Sequence, residues 1–118
     1  MDNIGYKKLI TWQFANKLAK KVYQITTSFP KHELYGITSQ IRRAALSVPL
    51  NIIEGHSRNN KKEFKQFLRI ALGSLVEVEY LLEFSKEQQY LEEKDFKEII
   101  LLRENCGRLL WKLLCSQS

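Results

Sequence analysis

Apolar residues recur at intervals of three and four along four stretches of this chain, which is the spacing of helices that each bury one face. Pro30, Gly36 and the segment Gln88–Leu91 interrupt the pattern and are typical of connections between helices. The pattern predicts four helices, at about residues 7–28, 37–54, 60–86 and 93–115. Because the connections are short, the helices should alternate in direction. We therefore predict an all-α fold, an antiparallel up-down-up-down four-helix bundle.

Individual residues predict how the helices begin and end. Thr38 or Ser39 is suited to cap the second helix, and Asn60 to cap the third. Gly55 is placed to end the second helix in a left-handed turn. Pro49 lies inside that helix and removes one main-chain hydrogen bond, but the apolar spacing continues on both sides of it. We therefore predict a helix that bends at Pro49 without breaking.

The second predicted helix has two apolar stripes, whereas a surface helix of a small bundle needs only one. The first stripe should face the core and consists of Ile37, Ile41, Ala45, Val48 and Ile52. The second lies roughly 120° around the helix. It consists of Leu46, Leu50 and Ile53. We expect this second stripe to contact a partner, and we predict it as the oligomer interface.

Between the two stripes, polar residues occupy one narrow line on the same helix. The line consists of Gln40, Arg43, Ser47, Asn51 and Glu54. These side chains suit a ligand groove, or alternatively a hydrogen-bonded seam in which Arg43 and Glu54 find partners on other helices or subunits. Buried polar groups are nearly always hydrogen-bonded, and polar seams can fix the register of packed helices. We favour the seam.

Composition places the chain among ordinary globular proteins, with 118 residues, 44% hydrophobic and 27% charged. This length suits a single domain, residues 1–118. No apolar run is long enough to span a bilayer, and the N-terminus lacks the apolar segment of a signal peptide. We therefore expect a cytoplasmic protein without membrane contact. Cys106 and Cys115 are too far apart along one predicted helix for a disulfide and should be reduced.

The net charge of +6 is distributed unevenly along the chain. Residues 1–41 carry +4 and residues 42–69 carry +5, whereas residues 70–118 carry −3. A row of cations occupies one face at the start of the third predicted helix and consists of Arg58, Lys61, Lys62, Lys65 and Arg69. Cations in a first turn oppose the helix dipole, and the free N–H groups there attract anions. The row therefore indicates either a phosphate-binding surface or a merely solvated lysine-rich face.

Residues with catalytic or metal-binding chemistry are few and isolated. The two histidines, His32 and His56, form no Glu-x-x-His pair of the kind that binds metals in helical bundles. Neither they nor the cysteines have the spacing of a zinc site. The sequence contains no glycine-rich phosphate loop and no nucleophile motif. Glu54 stands close to His56, but a helix-end carboxylate and an exposed loop histidine explain the two better than an acid/base pair. We predict a protein that is not an enzyme and uses no cofactor or metal.

Several short motifs resemble a bacterial family of four-helix-bundle proteins, named for proteins that are encoded within intervening sequences of 23S ribosomal RNA genes. The resemblance extends over about residues 6–114. Its motifs are Trp12-Gln13, Phe29-Pro30, Gln40-Ile41-Arg42-Arg43, Ser47-Val48-Pro49, Asn51-Ile52, Glu54-Gly55, Ile70-Ala71 and Gly73-Ser74. One departure is Ile53, where the family usually has alanine, and it adds bulk to the second apolar stripe.

The resemblance implies a four-helix bundle that assembles as a homo-oligomer, often a five-membered ring, and that has no catalytic activity. It also points to the similar accessory proteins of diversity-generating retroelements, which are basic barrels that partner a reverse transcriptase and nucleic acid. We therefore expect a ring-forming protein that binds RNA, RNA–DNA hybrids or other nucleic acid through phosphates with little sequence recognition. The alternative is an interaction scaffold or accessory subunit, on which a polymerase docks at the second helix or the basic face.

Overall fold

Four α-helices make up most of the structure, a computed structural model that describes residues 5–117. They are α1 (Ile10–Thr26), α2 (Ile37–Ser57), α3 (Lys61–Glu87) and α4 (Glu93–Cys115), with short 3-10 helices at Gly5–Lys8 and Lys31–Glu33. No strand occurs between residues 5 and 117, and the all-α prediction is confirmed. α1 is shorter than predicted at both ends and α2 extends three residues further, whereas α3 and α4 lie within one residue of their predicted spans.

Contacts between helices that are distant in sequence give the topology. Thr11 Oγ1 donates a hydrogen bond to the Leu109 carbonyl at 3.4 Å, and Lys21 Nζ lies 3.4 Å from a Glu98 carboxylate oxygen. The beginning of α1 thus meets the end of α4, and these two helices are antiparallel. α2 packs on α1 and α3, and α3 packs on α4, whereas the diagonal pairs of helices do not approach each other within the described residues. The antiparallel up-down-up-down bundle is thus confirmed, and each helix packs on two neighbours.

Large aliphatic side chains from all four helices fill the centre of the bundle. The largest fully buried ones are Leu18, Ile41, Ile52, Leu68, Leu75, Leu82, Ile99 and Leu110. Each stands on an apolar stripe with the spacing of three and four residues. Burying one such side chain contributes roughly 1.5–3 kcal/mol. The apolar pattern therefore determines which face each helix turns inward.

α2 continues without interruption through Pro49 to Ser57, which confirms that the proline does not break the helix. A proline inside a helix costs about 3 kcal/mol, because one main-chain hydrogen bond is lost and the ring crowds the preceding turn. Here the proline ring is itself buried, next to the fully buried Val48. Packing on the core therefore offsets the cost.

The prediction that Gly55 ends α2 is wrong. Gly55 is buried inside the helix, and a Cβ built on it would lie 2.8 Å from Phe64 Cδ1 and 2.8 Å from Phe67 Cβ on α3. The missing side chain therefore permits a close approach of α2 and α3. The chain turns instead at Asn59, which adopts a left-handed conformation with φ of 53°. Asparagine tolerates this conformation better than most residues with a side chain.

The prediction that Thr38 or Ser39 caps α2 is also wrong. The residue before the helix is Gly36, which has no side chain to accept a hydrogen bond. The carboxylate of Glu33 accepts a hydrogen bond from the Ile37 amide at 3.3 Å. Because Glu33 belongs to the preceding 3-10 helix, the first turn of α2 is stabilised from outside the helix.

Candidate nucleic-acid interface

The connection between α2 and α3 determines where the predicted cations lie. After the left-handed turn at Asn59, Asn60 Oδ1 accepts a hydrogen bond from the Glu63 amide at 3.0 Å, so Asn60 caps α3 as predicted. α3 therefore begins at Lys61, and Lys61 and Lys62 fall in its first turn. The amides of a first turn point away from the helix without intrahelical partners and favour anions.

We use the name basic row for the five cations at this corner: Arg58, Lys61, Lys62, Lys65 and Arg69. Lys65 is half-buried and the other four are exposed. Lys61, Lys65 and Arg69 are separated by four residues each, so they follow one face of α3. Like charges at this spacing destabilise an isolated helix by a few tenths of a kcal/mol. The basic row therefore does not serve the stability of α3.

Arg58 differs from the rest of the basic row. Its Nη2 donates a hydrogen bond to Glu54 Oε1 at 2.8 Å, and its guanidinium carbon lies 5.1 Å from the centre of the Phe67 ring. The pair contributes little to stability, because both side chains are about half exposed to solvent. The other four members make no hydrogen bond or ion pair through their side chains with any described residue. Their charges are thus uncompensated in this chain.

Because the four helices alternate in direction, basic residues that are distant in sequence lie at the same end of the bundle. We call residues 5–18, 48–74 and 104–117 the basic end, which has ten Lys/Arg and three Asp/Glu. The remaining residues, 19–47 and 75–103, form the neutral end and have nine of each. The whole positive excess of the described chain thus lies at the end that contains the basic row. A concentrated positive field of this kind attracts polyanions.

The predicted polar line on α2 forms a seam only in its middle. Asn51 Nδ2 donates a hydrogen bond to the Ser47 carbonyl at 2.7 Å and to Ser47 Oγ at 2.9 Å. Ser74 Oγ of α3 donates a hydrogen bond to Ser47 Oγ at 2.8 Å. These contacts join α2 to α3 at the level of Ser47.

The two ends of the polar line behave differently from its middle. Glu54 contacts Arg58 in its own helical segment and not a neighbouring helix. Gln40 and Arg43 make no side-chain hydrogen bond or ion pair with the described residues. Together with Glu77 of α3 they line an open cleft of about 370 Å³. The line therefore contains both a seam and a polar cleft.

The second apolar stripe of α2 lies outside the core. Leu50 is 58% exposed and Leu46 is 37% exposed, while Ile53 is half-buried. Such a stripe on an otherwise polar helix face is available to a partner. Its role as the oligomer interface stays a prediction.

Between residues 5 and 117, no group of three or more His, Cys, Asp or Glu side chains is arranged to hold a metal ion. Burial raises the pKa of the Cys106 thiol to about 12, and the positive charge of the nearby Arg103 opposes this rise only in part. The thiol is therefore protonated at neutral pH and a poor nucleophile. In the same range, no helix is both long and apolar enough to cross a membrane.

A groove between α1 and α4 at the basic end was not singled out by the sequence analysis. We call it the α1–α4 groove. It has a volume of about 680 Å³ and is lined by Ile10, Phe14, Arg108, Leu109, Trp111 and Lys112. In the sequence, Trp111 lies outside the apolar stripe of α4 that faces the core, and it lies between the cations Arg108 and Lys112. This position indicates an exposed aromatic side chain, so the sequence offers a signal for one wall of the groove. The sequence does not show what lies opposite, because α1 and α4 are at opposite ends of the chain.

Comparison with known proteins agrees with this fold. The profile of the family described as 23S rRNA-intervening sequence protein matches residues 7–112. A crystal structure of a protein with unknown function from the S23 ribosomal protein family, from Bacteroides thetaiotaomicron, superposes with a TM-score of 0.80. The two chains are 22% identical over 89% of this chain and 95% of that chain, so the likeness concerns the fold. No curated protein matches the sequence. Because the family profile spans most of its length, this chain belongs to the 23S rRNA-intervening sequence protein family.

Proposed function

We propose that this protein is a non-enzymatic nucleic-acid-binding protein, which acts as a homo-oligomer and contacts RNA or another nucleic acid through phosphates. One observation carries the proposal. The whole positive excess of the described chain lies at the basic end, and four cations of the basic row have no oppositely charged partner among the described residues. The family name supports a connection with ribosomal RNA genes but names no ligand.

The chemistry of the basic row favours phosphates over bases. The ammonium groups of Lys61, Lys62 and Lys65 are point charges on flexible stems, which recognise negative charge and not the pattern of a base edge. The amides at the start of α3 add to the attraction for anions. We therefore expect little sequence selectivity and a strong dependence of affinity on salt.

The proposed assembly is a ring, five-membered as the family resemblance implies, with Leu46, Leu50 and Ile53 in the contact between subunits. The exposure of Leu50, at 58%, and of Leu46, at 37%, supports this proposal, since neither side chain is fully covered within the chain. A ring would present one basic row per subunit to the same polyanion. The combined contacts would raise the apparent affinity without any new interaction in the subunit.

The test removes three charges of the basic row without changing the fold. Lys61→Gln, Lys62→Gln and Lys65→Gln together should weaken binding to unrelated single-stranded RNAs by a similar factor, as measured by fluorescence anisotropy. Each phosphate contact contributes roughly 0.7 to the slope of log affinity against log salt, so the slope should flatten by about 2. Folding should be little affected, because Lys61 and Lys62 are exposed and the charge of the half-buried Lys65 has no partner among the described residues.

A matched control removes three charges from the neutral end. Lys31, Lys94 and Lys97 are exposed, and of the three side chains only that of Lys97 has an ion-pair partner among the described residues, Glu93 at 4.0 Å. Changing these three to glutamine alters the net charge by the same amount and should leave the salt slope at its wild-type value. Equal effects of the two triple variants would mean that net charge, and not the basic row, governs binding.

A second candidate function is an interaction scaffold, or accessory subunit, for a polymerase such as a reverse transcriptase. Among the aromatic side chains exposed at the neutral end, Tyr35 at 93% and Tyr80 at 63% are the most open to solvent. Tyr80 lies beside Gln40 in a hollow next to the polar cleft of Arg43. Tyrosine and arginine are enriched among the residues that anchor protein interfaces. Nucleic-acid binding that appears only when a partner polymerase is present would favour this function.

A further inference from the structure

The α1–α4 groove combines aromatic surface with positive charge. Trp111 is 59% exposed and Ile10 is 55% exposed, so the indole and the apolar wall facing it are open to solvent. Large aromatic side chains are normally buried in a chain of this size, and an exposed one beside an apolar groove indicates a binding surface.

The rim of the α1–α4 groove is cationic. Arg108 and Lys112 line it, and no carboxylate of residues 5–117 does. Lys17 adds a third positive charge, since its Nζ lies 5.2 Å from the centre of the Phe14 ring. The Arg108 guanidinium donates one hydrogen bond to Asn105, and Lys112 has no side-chain partner among the described residues. An apolar occupant would leave these cations unpaired, whereas an anionic occupant would neutralise them.

An unpaired nucleotide has the two chemical features that this groove would match. Its base has a flat π-face that stacks on indole, and its phosphate pairs with arginine or lysine. Bases of a duplex are stacked inside and do not offer that face, so single-stranded segments are the form that aromatic side chains recognise. Charge and shape thus point to the same ligand.

We propose that the α1–α4 groove binds an unpaired base of single-stranded nucleic acid, with Trp111 as the stacking surface and Arg108, Lys112 and Lys17 on the adjacent phosphates. The inference rests on the proposed function and adds to it a preference for single strands over duplexes. The groove lies at the basic end, as does the basic row. α4, which lines the groove, packs on α3, which carries Lys61, Lys62, Lys65 and Arg69 of the basic row.

The first measurement reports on the indole directly. A stacked base quenches tryptophan fluorescence, whereas a phosphate contact alone does not bring a π-face to the ring. Addition of oligouridylate should quench Trp111 at the same concentrations that raise anisotropy. Inorganic polyphosphate, which has the charge but no base, should compete for the basic end without quenching. Duplex RNA should quench little.

The second tryptophan, Trp12, has to be separated from this signal. Its indole is half-buried against Tyr6, with ring centres 5.0 Å apart, and its N–H has no hydrogen-bond partner in the described structure. Trp12→Phe therefore removes an unsatisfied donor and leaves Trp111 as the single tryptophan, which can be excited selectively over the five tyrosines. The difference in quenching between wild type and Trp111→Phe also isolates the signal of Trp111, and it does not depend on the folding of Trp12→Phe.

Substitution of Trp111 gives the affinity test. Base–aromatic stacking is worth roughly 1–3 kcal/mol, so Trp111→Ala should weaken oligouridylate binding roughly 5- to 140-fold. Its salt slope and its affinity for polyphosphate should stay at wild-type values, and Trp111→Phe should keep most of the affinity. The matched control is Leu101→Ala, an exposed apolar residue of α4 outside the groove, which should change nothing.

The outcomes separate this inference from the proposed function. Quenching by oligouridylate together with the loss in Trp111→Ala supports the groove. Salt-dependent binding that depends on the basic row, without quenching and without an effect of Trp111→Ala, overturns the groove and leaves the proposed function intact. Absence of any nucleic-acid binding at low salt overturns both. A Trp111→Ala variant with a smaller particle mass than wild type would show that a second copy occupies the groove, and would overturn the inference as well.

Discussion

Gly55 and Gly73 are both glycines inside helices, but their surroundings are opposite. A Cβ on Gly55 would lie 2.8 Å from Phe67 Cβ, an atom that cannot move without the backbone of α3. A Cβ on Gly73 would meet nothing within 4 Å. At the residue scale, one glycine permits packing and the other has no steric reason to be glycine.

The two glycines predict opposite changes in the free energy of unfolding. Gly55→Ala should destabilise the protein, because overpacking costs about 1–3 kcal/mol and exceeds the gain in helix propensity. Gly73→Ala should stabilise it by about 0.5–1 kcal/mol, since only the gain remains. Urea unfolding at matched protein concentration measures both. A higher midpoint for Gly55→Ala would contradict the close approach of α2 and α3, and a lower midpoint for Gly73→Ala would contradict the open space around Gly73.

Gly55 also shows what a sequence can reveal at this scale. A glycine near the end of an apolar pattern usually terminates the helix, and this rule uses only the local sequence. The reason for Gly55 is Phe64 and Phe67, two side chains of another helix. The cap at Asn60 was predictable because its partner, Glu63, is three residues away. Local partners can thus be inferred from sequence, whereas the partner of a glycine in a helix contact cannot.

At the scale of the elements, α2 leaves its second apolar stripe partly uncovered, with Leu50 58% exposed and Leu46 37% exposed. Leu50→Asp should give particles smaller than wild type, because a carboxylate in an apolar subunit contact would be buried without a partner. Light scattering coupled to gel filtration gives the masses, and far-UV circular dichroism should show unchanged helix content, since Leu50 is 58% exposed in the chain.

Leu101→Asp is the matched control for this element, because Leu101 is 57% exposed on α4. It should retain the wild-type mass. A wild-type particle of 13.9 kDa, the mass of one chain, would refute the interface on α2. So would a Leu50→Asp variant that keeps the wild-type mass.

The existence and order of the helices were predictable because each one repeats its apolar spacing over several turns. Their ends were less predictable where the structure uses short 3-10 helices. Residues 5–8 form one of these instead of the first turn of α1, and Glu33 reaches from another to stabilise the start of α2. Apolar periodicity contains no information about such accessory turns.

At the scale of the whole molecule, the distribution of charge depends on topology. Counted along the sequence, residues 70–118 are acidic, with a net charge of −3. In the bundle, the end of this segment lies beside the start of α1 and at the same end as the basic row, so that Arg108 and Lys112 contribute to the basic end. The sequence predicted a basic face but not its full extent, because the antiparallel return of α4 brings together residues about a hundred positions apart.

Lysine acetylation with mass spectrometry tests this polarity directly. Bound RNA should protect lysines of the basic end, such as Lys7, Lys62 and Lys112, while Lys31 and Lys94 at the neutral end react as in the free protein. All five are exposed in the structure, so their intrinsic reactivity is comparable. Protection spread evenly over both ends would contradict a single nucleic-acid surface.

The separation of the two ends along the 43 Å length of the bundle has a consequence for symmetry. In a closed cyclic assembly, charge asymmetry perpendicular to the rotation axis cancels, and only the component parallel to the axis survives. Subunits standing along the axis would therefore give the proposed ring one positive rim and one rim without net charge. Such a barrel would differ in charge between its two faces. A nucleic acid would approach from the positive face, and two barrels would repel each other when their positive rims meet.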